Sequence, residues 1–312
     1  MTEETTTYKN ILIVHDTDQD GECAKHIAWF AERKLNPEAT FTFRPLLDKL
    51  NTKYTIEDYL DFDKIIVVDG SLPVDILDDL EQSKKEVLII DHHMTSIDLM
   101  SKLTNYKDQT LTAENDVTKY GTIVFICKPG TSAAKLTWQH YHKDLFVPWV
   151  VNMINDWDTW NHNDPQVVPF HYGLDCHDLQ NEELWQRMLK GDPTICQPIM
   201  NEGMLFGAYW VNKLNLMSED YGYDKEIDGI RFRCCNAPMN SSYDIEGTID
   251  PDKHDAGMWY WYNGNTDMWH VSFRSFKEGT DVRKLAEKYN GGGHTNAAGC
   301  RMTHKQIKEW FN

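Results

Sequence analysis

Seven cysteines are scattered over 312 residues, with no Cys-x-x-Cys pair and only Cys234 and Cys235 adjacent. An odd number without such spacing speaks against both a disulfide framework and a structural zinc site, so free thiols in a reducing cytosol are expected. No apolar run approaches the ~20 residues of a membrane span. Residues 1–7 lack the basic and apolar regions of a signal peptide. A cytoplasmic protein that does not engage a membrane is the expectation. There is no G-x-G-x-x-G and no Walker A sequence, so neither dinucleotide nor P-loop binding is indicated. Positive charge is scarce: 31 Lys and Arg face 49 Asp and Glu, a net charge of −18. A groove for long nucleic acid is normally basic, so binding of long duplexes is not expected. The deficit is uneven. Residues 229–312 carry 11 Lys and Arg and 10 Asp and Glu, whereas the first 228 carry 20 and 39. A phosphate approaching the acidic part needs metal ions to attract it.

What is present is ordinary for a globular chain, 41% hydrophobic and 26% charged, and long enough for one large or two smaller domains. Val87-Leu-Ile-Ile-Asp91-His92-His93 sets four apolar residues directly before three ligand-type side chains. A short continuous apolar run suits a strand buried on both faces of a parallel sheet. Neighbours on an extended chain point to opposite sides, so His92 and His93 are expected to do different jobs. Residues 11–14 form a second such run, leading into His15-Asp16-Thr-Asp18-Gln-Asp20-Gly21, and residues 64–68 a third, ending at Asp69. Residues 41–46 are a weaker strand candidate, and 121–127 a further one. Helix-length intervals between the strong runs predict a parallel α/β sheet. In such sheets ligands bind beyond the C-terminal strand ends, where three of these runs place carboxylates or imidazoles. The D-x-D-x-D-G sequence is not an EF-hand, because its twelfth position, counted from Asp16, is Ile27 and not Glu.

Helices are expected over 22–34 and over 133–142, the latter capped by Thr131 or Ser132. A third, beginning at Trp149, delivers Asp156 and Asp158 at its end. Residues 98–118 read as loop or short helix. Helical patterns over 182–217 form a bridge, with a boundary near 220–228. Strands at 229–235, 257–262 and 268–273 then predict a smaller α+β domain. Its last part holds Arg274 and Ser275, then Gly291-Gly292-Gly293-His294. A glycine run leaves backbone N–H groups able to approach an oxyanion, and it is equally suited to a tight turn.

Together these motifs resemble the DHH superfamily of phosphoesterases. The match comprises D-x-D-x-D-G at 16–21, Asp69 after a strand, Asp91-His92-His93, an Asp near 156, and R-S…D-V…G-G-G-H…A-A-G at 274–299. The last pattern is similar to the DHH-associated C-terminal domain, and the layout resembles the nanoRNase branch. The resemblance implies a DHH domain over 1–195, a helical linker over 196–228 and a DHH-associated domain over 229–312. It implies two divalent ions, Mn²⁺ first with Mg²⁺ or Co²⁺ as alternatives. Asp69 would bridge them. Asp18 and Asp156 would hold one ion, with His15 as a further candidate and Asp158 competing with Asp156. Asp20 and His92 would hold the other. Asp16 would orient a ligand, and His93 would contact the phosphate or protonate the leaving oxygen. Arg274, Ser275, Gly291, Gly292, Gly293 and His294 would bind the far end of the substrate. The implied activity is hydrolysis of short oligonucleotides or linear dinucleotides to mononucleotides. A cyclic-dinucleotide phosphodiesterase, an adenosine bisphosphate phosphatase and a non-catalytic nucleotide binder are the alternatives. A homodimer is left open.

Overall fold

Three apolar runs become the central strands of the first sheet. The structure, a computed structural model, describes residues 7–46, 54–100, 117–143, 145–237 and 247–311. Two compact units divide between Met204 and Leu205. In the first, β1 (Asn10–His15), β2 (Thr40–Pro45), β3 (Lys64–Val68), β4 (Glu86–Asp91), β5 (Val117–Tyr120) and β6 (Ile123–Cys127) form one sheet in the order β2-β1-β3-β4-β6-β5. All pairings are parallel except that of β5 with β6.

The helices of this unit are α1 (Gln19–Leu35), α2 (Glu57–Leu60), α3 (Val74–Gln82), α4 (Met94–Met100), α5 (Ala133–His142), α6 (Trp149–Asp158), α7 (Val167–Leu174) and α8 (Glu182–Leu189), followed by α9 (Pro193–Tyr221). Alternate strand residues serve opposite layers. Ile11, Ile13, Ile66, Val68, Leu88 and Ile90 pack with residues of α1, α5 and α6. Leu12, Val14, Ile65, Val67, Val87 and Ile89 pack with Tyr59, Leu72 and the α3 residues Ile76, Leu77 and Leu80. Burial on both faces is why these strands read as unbroken apolar runs. The chain leaves β1 for β2 on one side and returns to β3 on the other. The C-terminal ends of β1 and β3 therefore flank a topological switch point, where side chains of two neighbouring loops converge.

Some expectations are corrected. Residues 121–127 are not one strand: Gly121, at φ +56°, opens a two-residue turn between β5 and β6, and glycine adopts that left-handed conformation without a Cβ penalty. Of residues 98–118, 98–100 end α4, 117–118 begin β5 and 101–116 lie outside the described residues. The polar stretch at 220–228 contains β7 (Tyr223–Ile227), an edge strand whose exposure alternates along the chain.

In the second unit β7, β8 (Ile230–Asn236), β9 (Ala256–Asn263), β10 (Met268–Ser275), β11 (Gly292–Gly293) and β12 (Ala297–Met302) form a sheet in the order β11-β12-β10-β9-β8-β7, with α10 (Arg283–Glu287) and α11 (His304–Phe311). Among the described residues of this sheet, only β8 and β9 pair in parallel. Phe232, Met258, Phe273, Leu285 and Trp310 are in its core. All seven cysteines are unbridged. Among the described residues no helix is long and apolar enough to cross a membrane.

Candidate metal centre

The D-x-D-x-D-G segment is split by the start of α1, and each carboxylate acquires a different setting. Asp16 lies in the turn after β1. Asp18 is the N-cap, its side chain accepting from the Gly21 N–H at 3.0 Å. Such a cap satisfies one of the orphan donors of a helix start. Helix α1 thus begins at Gln19, three residues before the predicted Glu22. Gly21 is required by packing: a Cβ there would lie 2.4 Å from the Asp16 carbonyl oxygen. Asp20, in the first turn, is buried and accepts from the Ala133 and Ala134 N–H groups at 2.7 and 2.9 Å. The remaining donors at that end of α5 go to Asn155, which accepts from Ser132 N–H, and to Ser132 Oγ, which accepts from Lys135 N–H. One helix N-terminus therefore ties α1 to α6 and fixes Asp20 between them.

Asp69 follows β3 with φ +58°, a left-handed conformation that costs a non-glycine residue energy. Its N–H donates to the Ile90 carbonyl at 2.9 Å. This turn carries the carboxylate toward His92, with Asp69 Oδ1 3.4 Å from His92 Nε2. Asp91 organises the pair that follows it: its Oδ1 accepts from His92 N–H at 2.7 Å, His93 N–H at 3.3 Å and His93 Nδ1 at 2.8 Å.

The two imidazoles do not point to opposite sides. Their ring centroids are 4.3 Å apart, and His93 Nδ1 is also 3.8 Å from Asp69 Oδ1. Strand β4 ends at Asp91, so the alternation of an extended chain no longer applies. They still differ in exposure, with side chains 3% exposed for His92 and 37% for His93.

Among the described residues, three groups of side chains place ligand-type atoms within 4.8 Å of one another: Asp16, Asp18 and Asp69; Asp20, His92 and Asp158; and Asp69, Asp91, His92 and His93. Asp158 Oδ2 lies 3.3 Å from His92 Nε2 and Asp20 Oδ2 3.9 Å from it. Asp156 is in none of these groups; its Oδ1 accepts from Asn155 Nδ2 at 3.0 Å. Helical spacing carried the signal, since Asp158 is four and seven residues beyond the buried Ile154 and Val151 and continues their face. His15 is also outside the groups. It is buried, its Nδ1 donates to the Asp16 carbonyl at 2.7 Å, and it lies 3.6 Å from Glu22 Oε1. Burial pushes its pKa down to about 4, so the ring is neutral near pH 7.

The charges need a cation. Burial, reinforced by neighbouring carboxylates, raises Asp69 and Asp158 well above the usual carboxylate range and Asp20 to about 7. Asp69 Oδ1 and Asp158 Oδ2 are buried without a hydrogen-bond partner. Oxygen and imidazole donors without thiolate suit hard divalent ions such as Mn²⁺ or Mg²⁺, and the residues present fit such ions. His93 behaves oppositely: burial disfavours its charge, but the Asp91 hydrogen bond and the charges of Asp91, Asp158 and Asp18 outweigh that and raise it to about 9.

Two predictions arise here. Asp158→Ala is expected to lower the metal content of the purified protein, whereas Asp156→Ala should leave it near that of the unsubstituted chain. Loss in Asp156→Ala alone would return the role to Asp156. The second concerns pH. A carboxylate raised in the folded state contributes stability below its unfolded pKa, and that stability is lost as pH rises through the folded value; for Asp20 the window runs from 3.8 to about 7. A cation competes with those protons. The rise in Tm on adding Mn²⁺ should therefore be small near pH 5 and large near pH 8 in scanning calorimetry. An equal rise at both values would mean that these carboxylates do not bind it.

Arg274 is buried in β10 with its guanidinium 5.5 Å from the Phe276 ring centroid. Ser275 is buried, and its hydroxyl donates to the Asp255 and Lys277 carbonyls. A Cβ at Gly291 would lie 2.1 Å from the Gly299 carbonyl oxygen, and Gly293 has φ +134° with the Ala297 oxygen 2.5 Å from a Cβ; Gly292 has open space. Gly291 N–H donates to Ala286 and His294 N–H to Ala297. Two of the three glycines thus have a packing reason. His294 is exposed.

Residues 249–311 match the DHHA1 domain family. An uncharacterized protein of Acanthamoeba polyphaga mimivirus is 20% identical, over 94% of this chain and 68% of that protein. Among solved structures, a DHH domain described as belonging to a family of ribosomal proteins aligns with a TM-score of 0.55, 15% identity, and coverage of 97% of this chain and 85% of that one. A pGpG-specific phosphodiesterase from Vibrio cholerae aligns with a TM-score of 0.50 and 13% identity over 96% of each chain. RecJ from Thermus thermophilus in complex with Mn²⁺ gives a TM-score of 0.53 and 15% identity over 97% of this chain and 51% of that one. The C-terminal segment thus matches the DHHA1 domain, and the fold of the chain is similar to that of a solved DHH domain.

Proposed function

We propose that the chain is a two-metal phosphodiesterase that hydrolyses short oligonucleotides or linear dinucleotides to mononucleotides, in the manner of the nanoRNase branch. The observation that carries this reading is the meeting of two ligand triads at one point. Asp16, Asp18 and Asp69 would hold one ion, and Asp20, His92 and Asp158 the other, with Asp69 and His92 3.4 Å apart between them. This shifts Asp16 from an orienting to a ligating role and exchanges Asp156 for Asp158. Mn²⁺ is the ion assigned. Two divalent ions at such a site supply Lewis acidity toward a phosphate and a water activated near neutral pH.

The chain's own groups do the rest. Asp91 holds His93 through Nδ1, so that Nε2 carries the proton assigned to a phosphate or leaving-group oxygen. The hydrogen bond from Nδ1 to Asp91 favours the protonated ring. The second unit, close to neutral over 229–312, is assigned the far end of the substrate, with the exposed His294 as its polar contact. The acidic remainder of the chain favours a short polyanion over a long one.

The test is turnover of a panel of di- to pentanucleotides, cyclic dinucleotides and adenosine bisphosphate with Mn²⁺. Linear dinucleotides are expected to be the best substrates, with rates falling as length grows. Turnover of cyclic dinucleotides alone, or of the bisphosphate alone, would overturn the substrate assignment.

A further inference from the structure

Beside the metal cluster, wholly within the first unit, lies a cavity of about 700 Å³. Asp16, Asp69, Asp91 and His93, which belong to the cluster itself, form part of its lining. Leu46, Tyr54, Tyr59, Leu72, Ile76 and Leu99 supply apolar walls. Ser71, Asp75 and Thr95 add hydrogen-bonding groups, whereas the Ser96 hydroxyl is given to Asp91. No Lys or Arg is among the described lining residues. The volume is that of a small-molecule site.

We propose that this cavity receives the nucleobase next to the scissile phosphate, so that the metal-bearing unit itself selects one of the substrate's nucleotides; the proposal rests on the function proposed above. Away from His93, a phosphate is disfavoured by Asp75 and by the lack of Lys or Arg among the described lining residues. A base fits both features, being neutral, with flat apolar faces and a polar rim. It also lies one sugar away from its phosphate, and the cavity begins at His93, assigned to that phosphate, and at Asp16 and Asp69, assigned to the ions. An ionised carboxylate only accepts hydrogen bonds. Asp75 therefore takes a donor from the base edge, an exocyclic amino group of adenine, guanine or cytosine or a ring N–H of guanine or uracil.

The experiment compares the unsubstituted protein with Thr95→Trp, in which the indole fills the cavity from an exposed position, and with Tyr54→Ala, which removes a wall. Substrates are a dinucleotide and its two singly abasic analogues. In the unsubstituted protein, removing one particular base should raise KM roughly 10-fold, the scale of base–aromatic stacking. Each variant should raise KM for the intact dinucleotide by a similar factor. Each should leave KM for that abasic analogue unchanged and keep the metal content of the parent. Saturation-transfer NMR on the chelated protein gives a readout free of turnover: base protons of adenosine, guanosine and cytidine should receive saturation from the parent and not from Thr95→Trp. Unchanged KM for the intact dinucleotide in both variants, or equal saturation transfer in parent and Thr95→Trp, would overturn the base pocket. If no dinucleotide is hydrolysed while the nucleosides still bind in a Thr95-dependent way, the proposed function fails and the pocket stands.

Discussion

Asp69→Asn is expected to lower turnover by more than about 100-fold, the upper range for loss of a mere outer-shell partner of a metal. Asp69 is assigned to the first ion, and its Oδ1 lies 3.4 Å from Nε2 of His92, which is assigned to the second, so the substitution acts where the two sites meet. Asparagine keeps the size of the side chain and tolerates the left-handed φ of +58°, which alanine does less well. The variant should therefore fold. It should also be at least as stable as the parent in chelator at pH 8, because a buried carboxylate whose ionisation is disfavoured has been removed. What it should lose is stabilisation by metal. A ligand that binds only the folded state at 100 times its Kd contributes ~2.7 kcal/mol, and Asp69→Asn should show little of that. Calorimetry with and without Mn²⁺ measures the difference, and an unchanged metal-induced rise in Tm would remove Asp69 from the site.

The two histidines should fail in different ways. His92 is enclosed by Asp69, Asp20 and Asp158, with Nε2 3.4, 3.9 and 3.3 Å from their oxygens. His92→Ala is expected to lose metal, and turnover with it. His93 is partly exposed and bound through Nδ1 to Asp91. His93→Ala should keep both ions and lose roughly 10²- to 10⁴-fold in rate, the range for a positioned proton donor. Metal analysis of the two purified variants, followed by single-turnover kinetics, separates them. Equal metal loss in both would mean that His93 is a ligand and not a donor. The distinction rests on burial and on the Asp91 hydrogen bond, because the alternation argument that first suggested it does not hold beyond the end of β4.

The sheet was legible because its chemistry is simple. Residues 11–14, 64–68 and 87–90 are apolar almost throughout, and only a strand covered on both faces makes use of that. Their polar endings marked the sheet edge where Asp16, Asp18, Asp20, Asp69, His92 and His93 are placed. Packing decided what a linear pattern could not. Asp156 and Asp158 are two residues apart on one helix and cannot share a face. The choice follows from how α6 lies on α1 and α5, although the apolar stripe through Val151 and Ile154 already leaned toward Asp158. Asp91 was visible at the end of its strand. Its role as acceptor for both following residues needed the turn that only the structure shows. The glycine run at 291–293 suggested an anion cradle. Contacts with Gly299 and Ala297 give two of its members a reason to be glycine that needs no ligand.

The central claim is that the ends of β1, β3 and β4, with α6, hold two ions that turnover requires. The most direct measurement is a titration of the chelated protein with Mn²⁺ in which bound metal and the rate on a linear dinucleotide are followed together. The account predicts two ions bound per chain and a rate that is negligible without metal and reaches its full value only as the second site fills. Full activity after exhaustive chelation, or full activity with fewer than two ions bound, would contradict it.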